Sequence, residues 1–252
     1  MKHKIIIIPV HNQLPYLKKC IDSIVENTKR FKLIIVNDGS TDNETTDWIN
    51  KNLSKHHIIT HNKPMGFSVA CNDGIDYAME NFDFNCLCLL NSDTEIVTKN
   101  WFNRVEFEIV THKKIGVASV VSNNANFQTI KNVTQYMKKI DEKPTLDSIF
   151  IHGYCYFMSK DLIMTIGRFD NDLFPHYGGE DDFSIKSIKA GFQNIIVGSV
   201  FIRHKGAMSY SADKRSEMTK KTLRDLMNRW GKEYVAECVE LAINVQNKLN
   251  ST

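Results

Sequence analysis

Residues 4–10 read Lys-Ile-Ile-Ile-Ile-Pro-Val, and this apolar, largely β-branched run decides how the rest of the chain is interpreted. A short apolar run without polar alternation is typical of a central strand that is covered on both faces. In residues 14–27, leucine, isoleucine and valine recur at helical spacing, which predicts an amphipathic helix. The chain is therefore predicted to begin with a buried strand and a helix that packs against it.

The alternation of strand and helix continues along the next segment. Further strands are predicted at residues 32–36, 58–60 and 86–90. Thr41 and Glu44 have capping-box spacing and are predicted to open a helix, and Ser68 is predicted to cap the next one. Such an alternation predicts an α/β fold whose mostly parallel central sheet is flanked by helices. Ligands bind sheets of this kind at the carboxyl ends of the strands.

The second half of the chain has a weaker pattern. Residues 122–148 are polar and poorly patterned. A basic loop is predicted at residues 203–216. This loop either closes over a ligand or lies solvated on the surface. Further strands are predicted at 149–158 and 197–202, and helices at 182–190 and 217–249. We therefore predict one domain over residues 1–215 and a C-terminal helical extension over 216–252 that packs on the core.

Composition excludes several classes of protein. The 252 residues are 42% hydrophobic and 24% charged, which is the balance of a globular domain. With 32 basic and 29 acidic residues, the chain lacks the basic excess expected of a nucleic-acid-binding protein. No segment approaches the about 20 apolar residues of a membrane helix, and the first residues lack a signal-peptide cleavage site. We expect a cytoplasmic protein whose six scattered cysteines are reduced and packed.

Acidic residues fall where this sheet predicts ligand chemistry. Asp38 and Asp93 each follow a predicted strand directly, and Glu180-Asp181-Asp182 opens a helix after two glycines. Asp38 alone is explained by an Asx-turn, and the acidic triplet by a favourable charge at a helix N-terminus. Three adjacent carboxylates repel one another, however, and need a cation, a donor or a proton.

A divalent cation is one interpretation of Asn91-Ser92-Asp93, and ordinary turn chemistry is the other. Hard cations such as Mg²⁺ and Mn²⁺ prefer carboxylate and phosphate oxygens. His204 follows a predicted strand and would be a second ligand if it lay beside Asp93, although lone histidines are more often surface residues. An imidazole ligand would favour Mn²⁺.

Several motifs together resemble one family. Pro9-Val10-His11-Asn12, followed by Val-Asn-Asp-Gly-Ser-Thr-Asp at residues 36–42, resembles the N-terminal signature of family 2 glycosyltransferases with the Rossmann-like GT-A fold. Residues 89–93 resemble the metal-binding motif of that family. Residues 177–182 are similar to the Gly-Gly-Glu-Asp block of galactosyl- and N-acetylgalactosaminyltransferases. The resemblance covers roughly residues 4–206, with the motifs in the expected order.

The resemblance implies an inverting transfer of a sugar from a nucleotide diphosphate, commonly UDP, to a hydroxyl of a glycan or a lipid-linked acceptor in polysaccharide biosynthesis. It implies that Asp181 is the general base, that Glu180 binds acceptor hydroxyls, and that Asp93 and His204 hold Mn²⁺ or Mg²⁺. The implied nucleotide- and donor-binding residues are Pro9, Val10, Asn12, Asp38, Asn72, Ser92 and Asp93. Two residues depart from the family pattern: His11 replaces a frequent tyrosine, and Asn91 replaces the first aspartate of the metal motif.

Two other functions stay open from the sequence. A nucleotidyltransferase of similar fold would normally carry a glycine-rich loop with arginine and lysine after the first strand, where this chain has residues 9–12. A glycan-binding relative without activity is compatible with Asn91. The C-terminal helix is expected to dock on the core; the alternatives are a homodimer contact or a peripheral position on a membrane that carries the acceptor.

Overall fold

The computed structural model describes residues 2–112, 114–206 and 212–251. Strands and helices alternate strictly in the first part of the chain. Their bounds are β1 Lys4–Val10, α1 Leu14–Asn27, β2 Phe31–Asn37, α2 Asn43–Asn52, β3 His57–Thr60, α3 Phe67–Asn81 and β4 Cys86–Leu90. The later elements are β5 Thr94–Ile96, α4 Trp101–Thr111, β6 Ile115–Val121, α5 Val133–Lys138, β7 Thr145–Ser148, β8 Cys155–Ser159, α6 Lys160–Ile166, α7 Gly179–Lys189, β9 Gln193–His204, α8 Ala212–Trp230 and α9 Lys232–Ser251.

These strands form one central sheet in the order β3-β2-β1-β4-β8-β6-β9-β5, with β7 also paired to β9. Strands β3, β2, β1 and β4 are parallel, as the alternation predicts. Strand β8 runs antiparallel to both of its neighbours, and β5 and β7 run antiparallel to β9, so the second half of the sheet is mixed. Val10 pairs with Asn37, which places the residues that follow β1 and β2 at the same edge.

The first strand explains why both faces of the sheet are covered. Ile5, Ile6, Ile7 and Ile8 are all fully buried. Because successive side chains of a strand point to opposite faces, Ile6 and Ile8 pack in the layer that contains α1, α2 and α4. Ile5 and Ile7 pack in the layer that contains α3, α6 and α7. A continuous isoleucine run therefore supplies both layers of the core.

Two predicted helix caps are wrong. Helix α2 is capped by Asp42, whose carboxylate accepts from the amide of Thr45 at 2.6 Å. Thr41 is not the cap; its hydroxyl accepts a hydrogen bond from the side chain of Asn12. Helix α3 begins at Phe67, and the hydroxyl of Ser68 donates to the carbonyl oxygen of Phe174 instead of capping the helix.

The C-terminal segment forms two helices where one was predicted. Helix α8 ends before Gly231, whose φ of +90° breaks the helix, and α9 follows directly. Apolar residues of α9 are buried against the rest of the chain; they are Val235, Cys238, Ala242, Val245 and Leu249. In the predicted basic loop, β9 extends through His204, α8 already begins at Ala212, and residues 207–211 lie outside the described residues.

The second half differs from the sequence prediction in two further places. The predicted strand at 149–158 is reduced to β8, and the poorly patterned stretch before it contains α5 and β7. All six cysteines are buried and free, as predicted. Among the helices that the structure describes, none is long and apolar enough to cross a membrane.

Candidate active site

A cavity of about 1000 Å³ opens where β1, β2 and β4 end. This volume is at the upper end of the range typical of small-molecule sites. It is lined by eight of the ten residues that the sequence singles out: Pro9, Val10, Asp38, Ser92, Asp93, Glu180, Asp181 and His204. Residues far apart in the chain therefore meet around one cleft, because the parallel strands deliver them to the same edge of the sheet.

Asp93 and His204 lie side by side because β5 and β9 pair in the register that sets Thr94 opposite His204. The distance between Asp93 Oδ1 and His204 Nε2 is 3.3 Å, and both side chains are largely buried. His204 Nδ1 lies 2.6 Å from the carbonyl oxygen of Asn124. A carbonyl oxygen only accepts, so Nδ1 carries the hydrogen and donates. Nε2 is the ring nitrogen that faces the carboxylate of Asp93.

This donor set fits a divalent cation. Two ligand atoms at right angles, each about 2.1 Å from an octahedral cation, are about 3.0 Å apart. The distance of 3.3 Å between Asp93 Oδ1 and His204 Nε2 is close to that value. A metal-binding histidine characteristically donates its other ring N–H to a carbonyl, as His204 does. The described residues contain no cluster of three or more His, Cys, Asp or Glu around one metal position. Cations that bind nucleotides need only one or two protein carboxylates, since phosphate and water complete the shell.

His152 and Tyr154 are cleft residues that the sequence analysis missed. The rings of Tyr154 and His204 stack with their centroids 5.0 Å apart, and the His152 ring lies 6.0 Å from that of His204. The buried Nδ1 of His152 has no hydrogen-bond partner among the described residues. Burial, and then the neighbouring His204, lower the pKa of His152 to about 4, so the ring is neutral at pH 7. The only sequence signal for His152 is its place three residues before β8.

Asp38 lines the other end of the cavity and is held by the loop between β3 and α3. Its Oδ1 accepts from the amide of Met65 at 2.7 Å, and its Oδ2 accepts from the amide of Gly66 at 2.9 Å. His61 Nδ1 lies 2.7 Å from Oδ1. Gly39, the next residue, has a φ of +59°, and a Cβ atom there would lie 2.2 Å from the backbone of Lys63. The Asp-Gly pair therefore allows this loop to close tightly on Asp38.

Asn12 and Asn72 were predicted to bind the donor, but neither is one of the described residues that line the cavity. The amide of Asn72 accepts from the backbone N–H of Phe169 and donates to its carbonyl oxygen. The side chain of Asn12 accepts from the amides of Thr41 and Asp42. Neither side chain belongs to the lining of this cavity, and their part in donor binding stays a prediction. Asn72 joins α3 to the backbone of Phe169, and Asn12 joins the end of β1 to the backbone and hydroxyl of Thr41.

Glu180 and Asp181 lie in the first turn of α7 and line the cavity. Desolvation, followed by repulsion from Glu180 and Asp182, raises the pKa of Asp181 well above its ordinary value. Desolvation also raises the pKa of Glu180. Gly178 precedes them with a φ of +86°, and a Cβ atom there would lie 2.3 Å from Cγ2 of Thr222. A glycine is therefore required where α8 crosses the start of α7.

Asp182, the third carboxylate of the triplet, does not line the cavity and is fully buried. It accepts from Arg229 Nη1 at 3.0 and 3.1 Å and from Trp230 Nε1 at 2.9 Å. Lys186 Nζ lies 2.7 Å from it. Arg229 also donates to Asp170 through Nη2 at 2.6 Å. Asp182 thus ties the C-terminal helix α8 to the helix that carries Asp181.

Helix α8 also forms part of the wall of the cleft. Its residues that line the cavity are Lys214, Ser216, Thr219 and Thr222. The hydroxyl of Thr222 donates to the carbonyl oxygen of Tyr177 at 3.2 Å. Sequence periodicity predicts the apolar stripe of this segment. Polar residues of the same helix give no periodic signal that would show which of them line a cavity.

Comparison with known protein families agrees with this geometry. Residues 5–167 match the model of the family described as glycosyl transferase family 2. The chain belongs to glycosyltransferase family 2. The matched segment extends from β1 to the end of α6, so it contains Asp38 and Asp93 but ends before the Glu180-Asp181 pair.

Curated relatives of this family 2 glycosyltransferase are also named glycosyltransferases. The chain is 37% identical over 92 residues to glycosyltransferase GlyA of Streptococcus pneumoniae, covering 35% of this chain and 12% of GlyA. It is 26% identical over 213 residues to an uncharacterized glycosyltransferase of Rickettsia typhi, covering 79% and 60% of the two chains. A PGL/p-HBAD biosynthesis glycosyltransferase of Mycobacterium bovis is 33% identical over 129 residues, covering 49% of this chain and 48% of that protein. The chain therefore spans less than two thirds of the length of each of these relatives.

Solved structures establish the GT-A fold of this glycosyltransferase. A mannosyltransferase of Pyrobaculum calidifontis in complex with GDP-Man and Mn²⁺ superposes with a TM-score of 0.68 at 14% identity, covering 99% of this chain and 74% of that one. GalNAc-T7 with UDP, GalNAc and Mn²⁺ superposes with a TM-score of 0.66 at 14% identity, covering 90% and 48% of the two chains. At such identities the likeness shows the shared fold.

Proposed function

We propose that this glycosyltransferase moves a sugar from a nucleotide diphosphate, with a UDP-sugar favoured, to a hydroxyl of a glycan or lipid-linked acceptor, with inversion at the anomeric carbon. The observation that carries the proposal is that Asp38, the Asp93–His204 pair and Asp181 line one cavity. These groups match the three parts of the reaction: the base, the diphosphate and the attacking hydroxyl. The solved relatives hold UDP or GDP-Man together with Mn²⁺, which supports a nucleotide-sugar donor here.

Asp93 and His204 would hold the cation, Mn²⁺ or Mg²⁺. A bound cation would supply positive charge that neutralises the departing diphosphate. The chain's own contribution is to hold both ligands in place. The amide of Gly206 donates to Asp93 Oδ2 at 2.9 Å, and the carbonyl of Asn124 fixes the ring of His204. Ser92, Pro9 and Val10 would line the donor pocket around these groups.

Asp181 is the proposed general base. The acceptor oxygen forms a bond to the anomeric carbon as the bond from that carbon to the diphosphate oxygen breaks, and the hydroxyl proton passes to the carboxylate of Asp181. One such displacement inverts the anomeric configuration. A raised pKa makes this carboxylate a stronger base, and its placement at the cleft gives it access to an acceptor. Glu180, beside it, would bind acceptor hydroxyls.

The wider setting belongs to the same proposal. We propose a cytoplasmic enzyme of polysaccharide biosynthesis with a GT-A domain over residues 1–215 and an extension over 216–252. The Gly-Gly-Glu-Asp block would place its acceptor chemistry near that of galactosyl- and N-acetylgalactosaminyltransferases. Dimerisation through the C-terminal helix, and a peripheral position at a membrane that carries a lipid-linked acceptor, stay alternatives to simple docking of this helix.

The test is incubation with a panel of labelled nucleotide sugars and Mn²⁺. Sugar transfer or donor hydrolysis supports the proposal; pyrophosphate chemistry would indicate a nucleotidyltransferase, and the absence of any reaction a binding protein. Asp181→Asn should lower transfer about 10²–10⁴-fold while nucleotide affinity stays unchanged. The exposed Asp172 provides the control variant Asp172→Asn, which should keep full activity. Turnover in Asp181→Asn equal to the control would reject the role of the base.

The cation site has its own measurement. Asp93→Ala should abolish the part of nucleoside diphosphate binding that depends on Mn²⁺, as titration calorimetry with and without the metal would show. Binding of UDP that is equally tight with and without Mn²⁺ in the unmodified protein would contradict a metal held by Asp93 and His204.

A further inference from the structure

We propose that His61 is a positioning residue for base recognition. It holds the Asp38 carboxylate so that one acceptor lone pair is left for the ligand. That lone pair selects nucleobases that present a ring N–H. This inference rests on the proposed function, because it assumes that Asp38 meets the base of the donor. It adds a residue outside the donor pocket that determines which base binds.

His61 bridges two carboxylates from different parts of the fold. Its Nδ1 lies 2.7 Å from Asp38 Oδ1, and its Nε2 lies 2.7 Å from Asp73 Oδ2 on helix α3. The backbone amide of His61 donates to the carbonyl oxygen of Asn37 at 2.9 Å, so the residue continues the pairing of β3 with β2. Only 12% of the side chain is exposed. The ring is thus fixed by the sheet on one side and by α3 on the other.

Both ring nitrogens of His61 donate, because ionised carboxylates only accept hydrogen bonds. The ring is therefore an imidazolium. Burial alone would disfavour this charge, but the hydrogen bonds to Asp38 and Asp73 raise the pKa of His61 above its ordinary value. Its positive charge lies beside Asp38, with Nδ1 2.7 Å from Oδ1.

The carboxylate of Asp38 is nearly saturated. An ionised carboxylate offers about four lone-pair positions. His61 and the amide of Met65 occupy two positions on Oδ1, and the amide of Gly66 occupies one on Oδ2. The remaining position belongs to Oδ2. Asp38 lines the cavity, and its side chain is 10% exposed, so that this position is the one available to a ligand.

An acceptor that cannot become a donor discriminates between bases. Uracil N3–H and guanine N1–H each offer a hydrogen to the carboxylate. Cytosine N3 and adenine N1 carry a lone pair at the same position of the base. Either of them would place one acceptor, the ring nitrogen, against another, the carboxylate oxygen of Asp38. A site built to pair with one donor rejects an analogue that lacks it, since the buried polar group is then unpaired.

The experiment compares three variants by calorimetric titration of UDP, GDP, CDP and ADP in the presence of Mn²⁺. His61→Leu removes both hydrogen bonds. His61→Asn keeps a donor at the place of Nδ1 but loses the contact to Asp73, and Asp73→Asn removes only the distant charge. The control is His112→Gln, which removes a histidine that also faces a carboxylate, Glu108, but lies exposed directly after the end of α4.

His61→Leu is expected to weaken binding of the preferred nucleotide about tenfold and to reduce its preference over CDP by a similar factor, while kcat at saturating donor changes less than about twofold. His61→Asn and Asp73→Asn should each reduce the affinity for the preferred nucleotide and its preference over CDP by about two- to threefold. These two variants test the proposal if His61→Leu does not fold. If both of them then keep the base preference of the unmodified protein, His61 contributes only to stability and the proposal is overturned.

Two results separate the inference from the function on which it rests. If the unmodified protein binds none of the four nucleotides, the proposed function fails and the inference fails with it. If the unmodified protein prefers UDP or GDP and His61→Leu retains the same preference, only the inference is overturned. Equal weakening of all four nucleotides together with a lower kcat would likewise overturn it, because that is the signature of a damaged fold.

Discussion

Replacing Arg229 with methionine would remove the guanidinium that joins helix α8 to the first turn of α7. Arg229 donates through Nη1 to both oxygens of Asp182 and through Nη2 to Asp170. Asp182 is 0% exposed, so the variant leaves a buried carboxylate with fewer partners. Methionine keeps much of the packing of the arginine stem, and the loss therefore reports mainly on the charge and the hydrogen bonds.

The expected loss follows from the surroundings of Asp182. Removing one partner of a buried ion pair destabilises proteins by about 3–5 kcal/mol. Lys186 Nζ at 2.7 Å and Trp230 Nε1 at 2.9 Å still satisfy Asp182 in the variant, and Arg229 itself is 30% exposed. We therefore expect the lower end, a decrease of about 3 kcal/mol in the free energy of unfolding. For a chain of this size that corresponds to a Tm lower by about 6–12 °C.

Urea denaturation followed by circular dichroism measures this loss. The matched control is Arg224→Met on the same helix, where the guanidinium is 69% exposed and lies 3.9 Å from Asp225. A surface pair of this kind should contribute less than about 1 kcal/mol. If Arg229→Met lowers the free energy of unfolding no more than Arg224→Met does, then Lys186 and Trp230 suffice for Asp182, and α8 is held to α7 by apolar packing instead.

Three further predictions concern single groups. The pKa of Asp181 is raised, and the base that we propose it to be acts only when deprotonated. kcat/KM should therefore rise with pH along an acidic limb that lies above the ordinary carboxyl range, and a profile that is flat from about pH 5 to 8 would contradict this. In urea denaturation, Gly178→Ala should destabilise the protein by more than Gly167→Ala. Both glycines have positive φ, so that an alanine costs about 1 kcal/mol at either position. Only at Gly178 would the new Cβ atom also contact another residue, Thr222. Burial raises the pKa of Cys20 to about 12, so mass spectrometry after treatment with iodoacetamide should find this thiol modified only in urea.

The first half of the fold could be predicted from the sequence because its signals are local. The predicted bounds of β1, α1 and β4 coincide with Lys4–Val10, Leu14–Asn27 and Cys86–Leu90. Each is an apolar run of one period with a polar boundary at its end. Strand β5 is only three residues long and leaves no periodic signal, yet it places His204 beside Asp93. The second half depends on such pairings between distant segments, which periodicity does not record.

The candidate site divides in the same way. Asp38, Asp93 and Asp181 were predicted because each stands at the end of a strand or the start of a helix, within a family motif, and all three line the cleft. Asn72, which the sequence assigned to donor binding, lies outside the cavity lining, and its amide pairs with the backbone of Phe169. His61 and Arg229 contact carboxylates on other elements of the fold, and the sequence next to either residue does not predict these contacts.

Positive charge is unevenly distributed among the carboxylates in and beside the cleft. Asp38 faces the imidazolium of His61, and Asp182 faces the guanidinium of Arg229. In the described part of the chain no ion pair involves Asp181, and its pKa is raised by burial and by the two carboxylates beside it. Groups of one chemical kind take different roles when their surroundings move their proton affinities apart. The raised pKa of Asp181 therefore fits the role of general base that we propose for it, since a stronger base removes a hydroxyl proton more readily.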